Sequence, residues 1–313
     1  MPPRLPRSGG GNGGRGPAGL LLSRDAPAVD EIESLRFRGS GLTLAADGAG
    51  PAGGPVILFL HGSGQTRQSW RRALAEAAAR GYRGIALDLR GHGDSDWSPD
   101  GRYGLPLFAA DLREVIAQLP RPPVLVGASL GGLVSILVCG ELPAPASALV
   151  LVDIAPRVEE RGAREVIAFM DSAPDGFASL EEAADAVSAY LPHRERPRDT
   201  RGLQRNLRLR NGRWYWHWDP AFMQMGRDAG AKHRFDGPNP FEQPARSLRL
   251  PTLLLRGGRS QIVSEASVRE FHEWVPHAEY IDIAGAHHMV AGDANDAFND
   301  AVFGFIDRQG GAA

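Results

Sequence analysis

The stretch Gly127-Ala128-Ser129-Leu130-Gly131-Gly132 places a serine where it could act as a nucleophile. It fits G-x-S-x-G and joins an apolar run, PPVLVGA at 122–128, to a helical pattern over 130–141. A sharp strand-to-helix turn of that kind lifts the hydroxyl above the sheet, and small flanking residues let the chain pack closely on itself. The first amides of the helix then present N–H groups and a positive dipole end to a developing oxyanion, with Leu130 N–H the first candidate donor. A second glycine-rich turn, His61-Gly62-Ser63-Gly64-Gln65, follows the apolar run PVILFLH at 55–61, and the Ser63 N–H is the second candidate donor. A serine hydroxyl needs a base at neutral pH, and histidine suits that task. GAHHMVAGD at 285–293 supplies two neighbours, His287 and His288. The bland alternatives are a tight turn with an incidental serine, a plain glycine turn and a capping or surface histidine.

These residues need elements to hold them. SLRFRGSGLTLAAD at 34–47 has the alternation and glycine turn of a hairpin. PVILFLH at 55–61, GIALDL at 84–89, PPVLVGA at 122–128, ALVLVD at 148–153, PTLLLRG at 251–257 and AEYIDI at 278–283 are short and mostly apolar, as strands buried on both faces are. Helical spacing separates them over 67–80, 105–119, 130–141, 264–275 and 293–306, the last with Ala294, Ala297, Phe298, Ala301, Val302 and Phe305 on one face. This alternation implies an α/β fold with a mostly parallel central sheet and helices on both faces. It stops at Pro156 and resumes near 248. The expected organisation is a tail at 1–27, a core from 28–155 and 248–313, and a largely helical cap inserted after the sixth strand at 156–247.

Composition narrows the function classes. A net charge of −2 in 313 residues offers no basic field for nucleic acid or an anionic membrane. No apolar run approaches the roughly 20 residues of a transmembrane helix. One cysteine, Cys139, excludes an internal disulfide and fits a reducing compartment, so a cytoplasmic location is expected. The tail is rich in Gly, Pro and Arg and is expected to be disordered. His61, His92, His217 and His233 lack metal-ligand spacing, so neither metal nor cofactor is expected.

HGSGQ, LDLRGHGDSD at 87–96, GASLGG and the late histidine loop occur in the order found in the α/β-hydrolase family. Over about 34–306 the chain resembles that family, and within it the capped esterase, lactonase and C–C-bond hydrolase relatives. The resemblance implies that the catalytic histidine precedes an apolar residue, which selects His288, followed by Met289, over His287. It implies structural roles for His92, in the loop-shaping segment Gly91–Ser95, and for Asp88. It also implies an acid after the strand at 251–257, in the form Gly, two spacers, Asp. Here that count lands on Ser260 or Gln261, neither a carboxylate. An amide can orient an imidazole but cannot stabilise imidazolium as a carboxylate does. The family's second location for the acid is the end of the preceding strand, which in this chain is Asp153. Asp153 before Ala155-Pro156 could instead simply cap a turn, and Glu265 is a distant third candidate at a helix start.

The resulting expectation is a serine hydrolase for a small-molecule carboxylic ester, lactone or related carbonyl substrate. Ser129 is the nucleophile, His288 the base, Asp153 the acid, and the Ser63 and Leu130 amides are the oxyanion donors. His61, Gly62, Trp214, Trp216, Trp218, Phe222 and Met289 are expected to line the substrate pocket. The aromatic run Trp214–Trp218, with Phe222, Met223 and Met225, suits either an apolar substrate wall or an anchor of cap to core. His217 reads as a packed residue. A C–C bond hydrolase using the same residues, or a non-catalytic binder on the same fold, remains an alternative, with Gln261 the best support for the latter. Dehalogenase or epoxide-hydrolase chemistry is disfavoured, because those relatives carry an aspartate at the position of Ser129.

Overall fold

The computed structural model describes residues 32–141, 143, 145–192, 196, 199–224, 239–286 and 295–309. The tail at 1–27 and the loop holding His287, His288 and Met289 lie outside them, as do Met225 and His233. Ten strands are present among the described residues. They are β1 (Glu33–Arg38), β2 (Thr43–Ala49), β3 (Val56–Leu60), β4 (Arg83–Leu87), β5 (Val124–Ala128), β6 (Ala148–Val152), β7 (Leu207–Arg210), β8 (Arg213–Trp216), β9 (Thr252–Gly257) and β10 (Glu279–Ile283). The helices are α1 (Arg71–Ala79), α2 (Leu105–Ala117), α3 (Leu130–Cys139), α4 (Glu160–Met170), α5 (Leu180–Tyr190), α6 (Glu242–Ser247), α7 (Glu265–Trp274) and α8 (Asn295–Arg308).

Eight strands form one sheet in the order β1-β2-β4-β3-β5-β6-β9-β10. Only the β1–β2 and β2–β4 pairings are antiparallel. All pairings from β4 to β10 are parallel. The apolar runs of the sequence are these parallel strands, and their side chains divide between two cores because successive residues point to opposite faces. Leu58, Leu60, Leu125, Leu149, Leu151 and Leu254 pack on one face with Leu112 and Val115 of α2, Val134 and Ile136 of α3 and Phe271 of α7. Ile57, Phe59, Val126, Val150, Leu253 and Leu255 pack on the other with Leu74 of α1 and Phe298, Val302 and Phe305 of α8. A run such as VILFL is therefore buried at every position.

Between β6 and β9 the chain leaves the sheet. It forms α4, α5, the separate two-stranded sheet β7–β8 and α6. Trp214 and Trp216 fall on β8, as their spacing suggests. The partner strand β7 is not evident from periodicity, yet the turn signal is there. Asn211 and Gly212 both take positive φ, 49° and 77°, as an Asn-Gly hairpin turn requires. No described helix is long and apolar enough to cross a membrane.

Candidate active site

The parallel strands bring their carboxyl ends together at one edge of the sheet, where ligands of open α/β sheets bind. Val152 pairs with Ala128 on one side and with Leu255 on the other. Ser129 and Asp153, the next residues, therefore stand level on adjacent strands.

Ser129 occupies the turn from β5 into α3 at φ 45°, ψ −113°, a region that side-chain-bearing residues rarely adopt. The glycines around it show why the turn can close. A Cβ on Gly127 would lie 2.6 Å from the Gly131 oxygen. One on Gly131 would lie 2.5 Å from the Leu60 oxygen, and one on Gly132 would lie 2.3 Å from Ile154 Cγ2. The Gly131 N–H donates to the His61 carbonyl at 3.2 Å, which ties the elbow to the loop after β3. Across that loop, a Cβ on Gly62 would sit 3.1 Å from the Ser129 Cβ. The loop after β3 thus lies against the elbow at Ser129. Gln65, whose part is not evident from the sequence alone, holds this loop by accepting the Gly62 N–H on its Oε1 at 3.0 Å.

Asp153 is fully buried and also has positive φ, 47°. Among the described residues only Ser129, Asp153 and Asn211 show this without being glycine, and strained backbone of this kind clusters at functional sites. Its Oδ1 accepts the Gly257 N–H at 2.8 Å, and its Oδ2 accepts the Ser260 hydroxyl at 2.5 Å. Gln261 takes no such place: its side chain is exposed, and its carbonyl oxygen packs against Gly162 of α4. Glu265 is exposed in the first turn of α7. Ala286, the last described residue before the histidine pair, is buried, and its carbonyl accepts the Arg259 N–H at 2.9 Å.

Several of the residues expected to line a pocket are buried. His61 is fully buried. Its Nε2 accepts the Leu89 N–H at 3.0 Å, and its Nδ1 lies 2.8 Å from the Gly62 carbonyl, so the ring locks two loops together. Trp216 and Trp218 stack on each other at 4.9 Å and are buried. Phe169 and Phe177 cover further faces of Trp216. Phe222 is buried edge-on against His92 at 4.8 Å and Tyr103 at 5.7 Å. Phe222 thus fastens the segment between β6 and β9 to the sheet domain, while Trp216 and Trp218 pack within that segment. Trp214 is half-buried and bonded through its backbone to Phe177. Met170 of α4, not singled out in the sequence, instead approaches the oxyanion-side loop, where a Cβ on Gly64 would meet its side chain at 3.3 Å.

The same fastening uses polar groups. His217 Nδ1 accepts the Gly93 N–H at 2.8 Å, and Nε2 faces the Gly64 carbonyl at 3.3 Å. Asp219 accepts the Tyr103 hydroxyl at 2.7 Å, and Arg208 donates to Asp94 at 2.7 Å. Asp88 is buried and accepts from the Arg67 amide and guanidinium and from the Asp94 N–H. Burial drives the proton affinity of the histidines down: His61 to about 4, His92 to about 3, and His217 well below the ordinary value. All three are neutral at pH 7 and serve as rigid connectors. No group of three or more metal-ligating side chains occurs among the described residues.

A sequence model described as the alpha/beta hydrolase fold matches residues 55–294. Esterase Rv0045c of Mycobacterium tuberculosis is 33% identical over 264 residues, 82% of this chain and 84% of that protein. The sn-1-specific diacylglycerol lipase ABHD11 of Mus musculus is 31% identical over 263 residues, 80% and 81% of the two chains. The crystal structure of E-2-(acetamidomethylene)succinate hydrolase superposes with a TM-score of 0.78 at 23% identity, over 88% of this chain and all of that one, a likeness of fold.

Proposed function

The chain belongs to the alpha/beta hydrolase fold family and is a hydrolase, and on that footing we propose that it cleaves carboxylic esters or lactones through an acyl-enzyme on Ser129. The observation that carries this reading is the strained elbow at Ser129, level with a buried Asp153 and closed over by the Gly62–Ser63 loop. The esterase and lipase names of the relatives point to the same bond type.

In this mechanism Ser129 Oγ attacks the carbonyl carbon while its proton passes to His288, in the loop after β10. The Ser63 and Leu130 N–H groups hold the tetrahedral oxyanion, each donor contributing a factor of ~10²–10³. Collapse breaks the bond to the alkoxide, which takes the proton back from His288 and departs. A water molecule then attacks the acyl carbon, giving its proton to His288, and the second collapse returns the proton to Ser129 Oγ and frees the carboxylic acid. Asp153 orients the imidazole and stabilises the imidazolium. The segment 156–247 acts as the cap, with Met170 and Trp214 toward the acyl side of the pocket.

A fluorophosphonate probe tests the nucleophile: the wild type is labelled and Ser129→Ala is not. Absence of labelling in folded wild-type protein would overturn the acyl-enzyme reading. A panel of p-nitrophenyl esters and lactones graded in acyl size then identifies the substrate class.

A further inference from the structure

At the place where the family pattern puts the acid, this chain has Ser260, and its hydroxyl is fully engaged. The Oγ donates to Asp153 Oδ2 at 2.5 Å and accepts the N–H groups of Ile262 and Val263, both at 3.1 Å. Two amides on the oxygen polarise the O–H bond and strengthen it as a donor, because linked hydrogen bonds reinforce one another. They also remove its rotational freedom. With Gly257 N–H on Oδ1, both oxygens of the Asp153 carboxylate are gripped from the β9 side.

The same short loop reaches further. Arg259 N–H donates to the Ala286 carbonyl, immediately before His287-His288. One turn, 257–260, therefore holds the buried carboxylate and the entry to the histidine loop in a fixed relation. A serine needed only to cap the turn would use its acceptor capacity on Ile262 and Val263. The donor bond to Asp153, between residues 107 apart in sequence, is additional.

We propose that Ser260 is a positioning residue for Asp153. It fixes the orientation of the carboxylate, and a carboxylate at position 260 can take over from position 153. The inference rests on the assignment of Asp153 as the orienting acid. Removing the Ser260 donor lets the carboxylate turn away from the imidazole, so that it stabilises the imidazolium less. The pH at which His288 becomes a free base then falls.

The test measures p-nitrophenyl ester hydrolysis against pH for the full chain and for Asp153→Asn, Ser260→Ala and the double variant Asp153→Asn/Ser260→Asp, with circular dichroism melts to establish folding. Asp153→Asn is expected to lose ~10³–10⁴ in kcat. Ser260→Ala is expected to lose about tenfold in kcat at unchanged KM, the loss of a hydrogen bond to a charged group. The acid limb of its kcat/KM profile moves to lower pH, which a purely structural serine would not cause. The double variant is expected to regain about tenfold or more over Asp153→Asn, as a charged partner returns. A Ser260→Ala enzyme with wild-type kcat and an unmoved limb overturns the proposal, as does a folded double variant no more active than Asp153→Asn. If Ser260→Ala fails to fold, the double variant decides alone. A fully active Asp153→Asn enzyme would instead refute the acid assignment, a separate result from either of these.

Discussion

The buried histidines make the fold expected to be acid-labile, with a steepness that can be worked out. His61, His92 and His217 lie in one cluster, with ring centroids 5.2 Å apart for His61–His92 and 5.8 Å for His92–His217. In the folded chain burial lowers their pKa values to about 4, about 3 and well below 6.5, whereas the unfolded chain titrates near 6.5. Asp88 Oδ1 lies 4.0 Å from His61 Nε2, but that nitrogen already accepts the Leu89 N–H and has no room for a proton. As pH falls below 6.5 the unfolded chain binds three protons that the folded chain refuses. Stability is thus complete above pH 7 and is lost on acidification. Each ring that stays neutral contributes on the order of 1 kcal/mol per pH unit below pH 6.5, so the cluster should lose several kcal/mol by about pH 5. That is a large share of a typical stability of about 5–15 kcal/mol. Asp88 acts in the opposite sense, since burial raises its carboxyl against the pull of Arg67, and it offsets part of the loss toward the acid end.

Urea melts followed by tryptophan fluorescence at pH 8, 7, 6 and 5 measure this slope. His92→Leu supplies the internal control. His92 Nε2 is buried without a partner, so this ring is the one whose removal disturbs the fewest bonds. The variant should retain two refusing histidines and a slope about two-thirds that of the wild type. A wild-type slope under about 1 kcal/mol per unit, or the same slope in both proteins, would show that the rings are protonated or solvated in the fold.

Other perturbations separate packing from chemistry. Arg67→Met leaves Asp88 buried without its counter-ion and should cost about 3–5 kcal/mol in urea melts. Gly132→Ala drives a methyl into Ile154 and the Gly127 carbonyl and should destabilise by about 2–3 kcal/mol, with activity falling because the elbow must shift. Gln65→Ala frees the Gly62 amide and should lower kcat by about tenfold while the melting temperature moves little, since the bond is only part-buried. Phe222→Ala should cost about 3–5 kcal/mol and expose the β6–β9 insertion to limited proteolysis.

The parallel sheet was legible because a strand covered on both faces must be apolar at every position, and PVILFLH or ALVLVD admit no other comfortable setting. The elbow was legible because close backbone approach admits only glycine at 127, 131 and 132. Burial and substrate lining, by contrast, ask the same of a side chain. Trp216, Trp218 and Phe222 are apolar and adjacent in either case, and only packing distinguishes an anchor from a wall. His61 carries a related ambiguity: a histidine beside a nucleophile suggests chemistry, while its two hydrogen bonds run to amide and carbonyl groups that a sequence does not place.

Ser260 and Asp153 illustrate a subtler limit. Counting residues from Gly257 exposes an acid position without an acid and leaves open whether the site is damaged or rearranged. The spatial relation bears on this in physical terms. A damaged site would leave a serine turned to solvent and an aspartate capping its own turn. Instead the serine is bonded to the aspartate of the neighbouring strand, and Asp153 is buried at a positive φ that a simple turn cap would not require. Burying a carboxylate costs several kcal/mol unless donors replace its water, and here Gly257 and Ser260 do so. The hydroxyl at 260 supplies Asp153 with a donor where a second carboxylate would repel it.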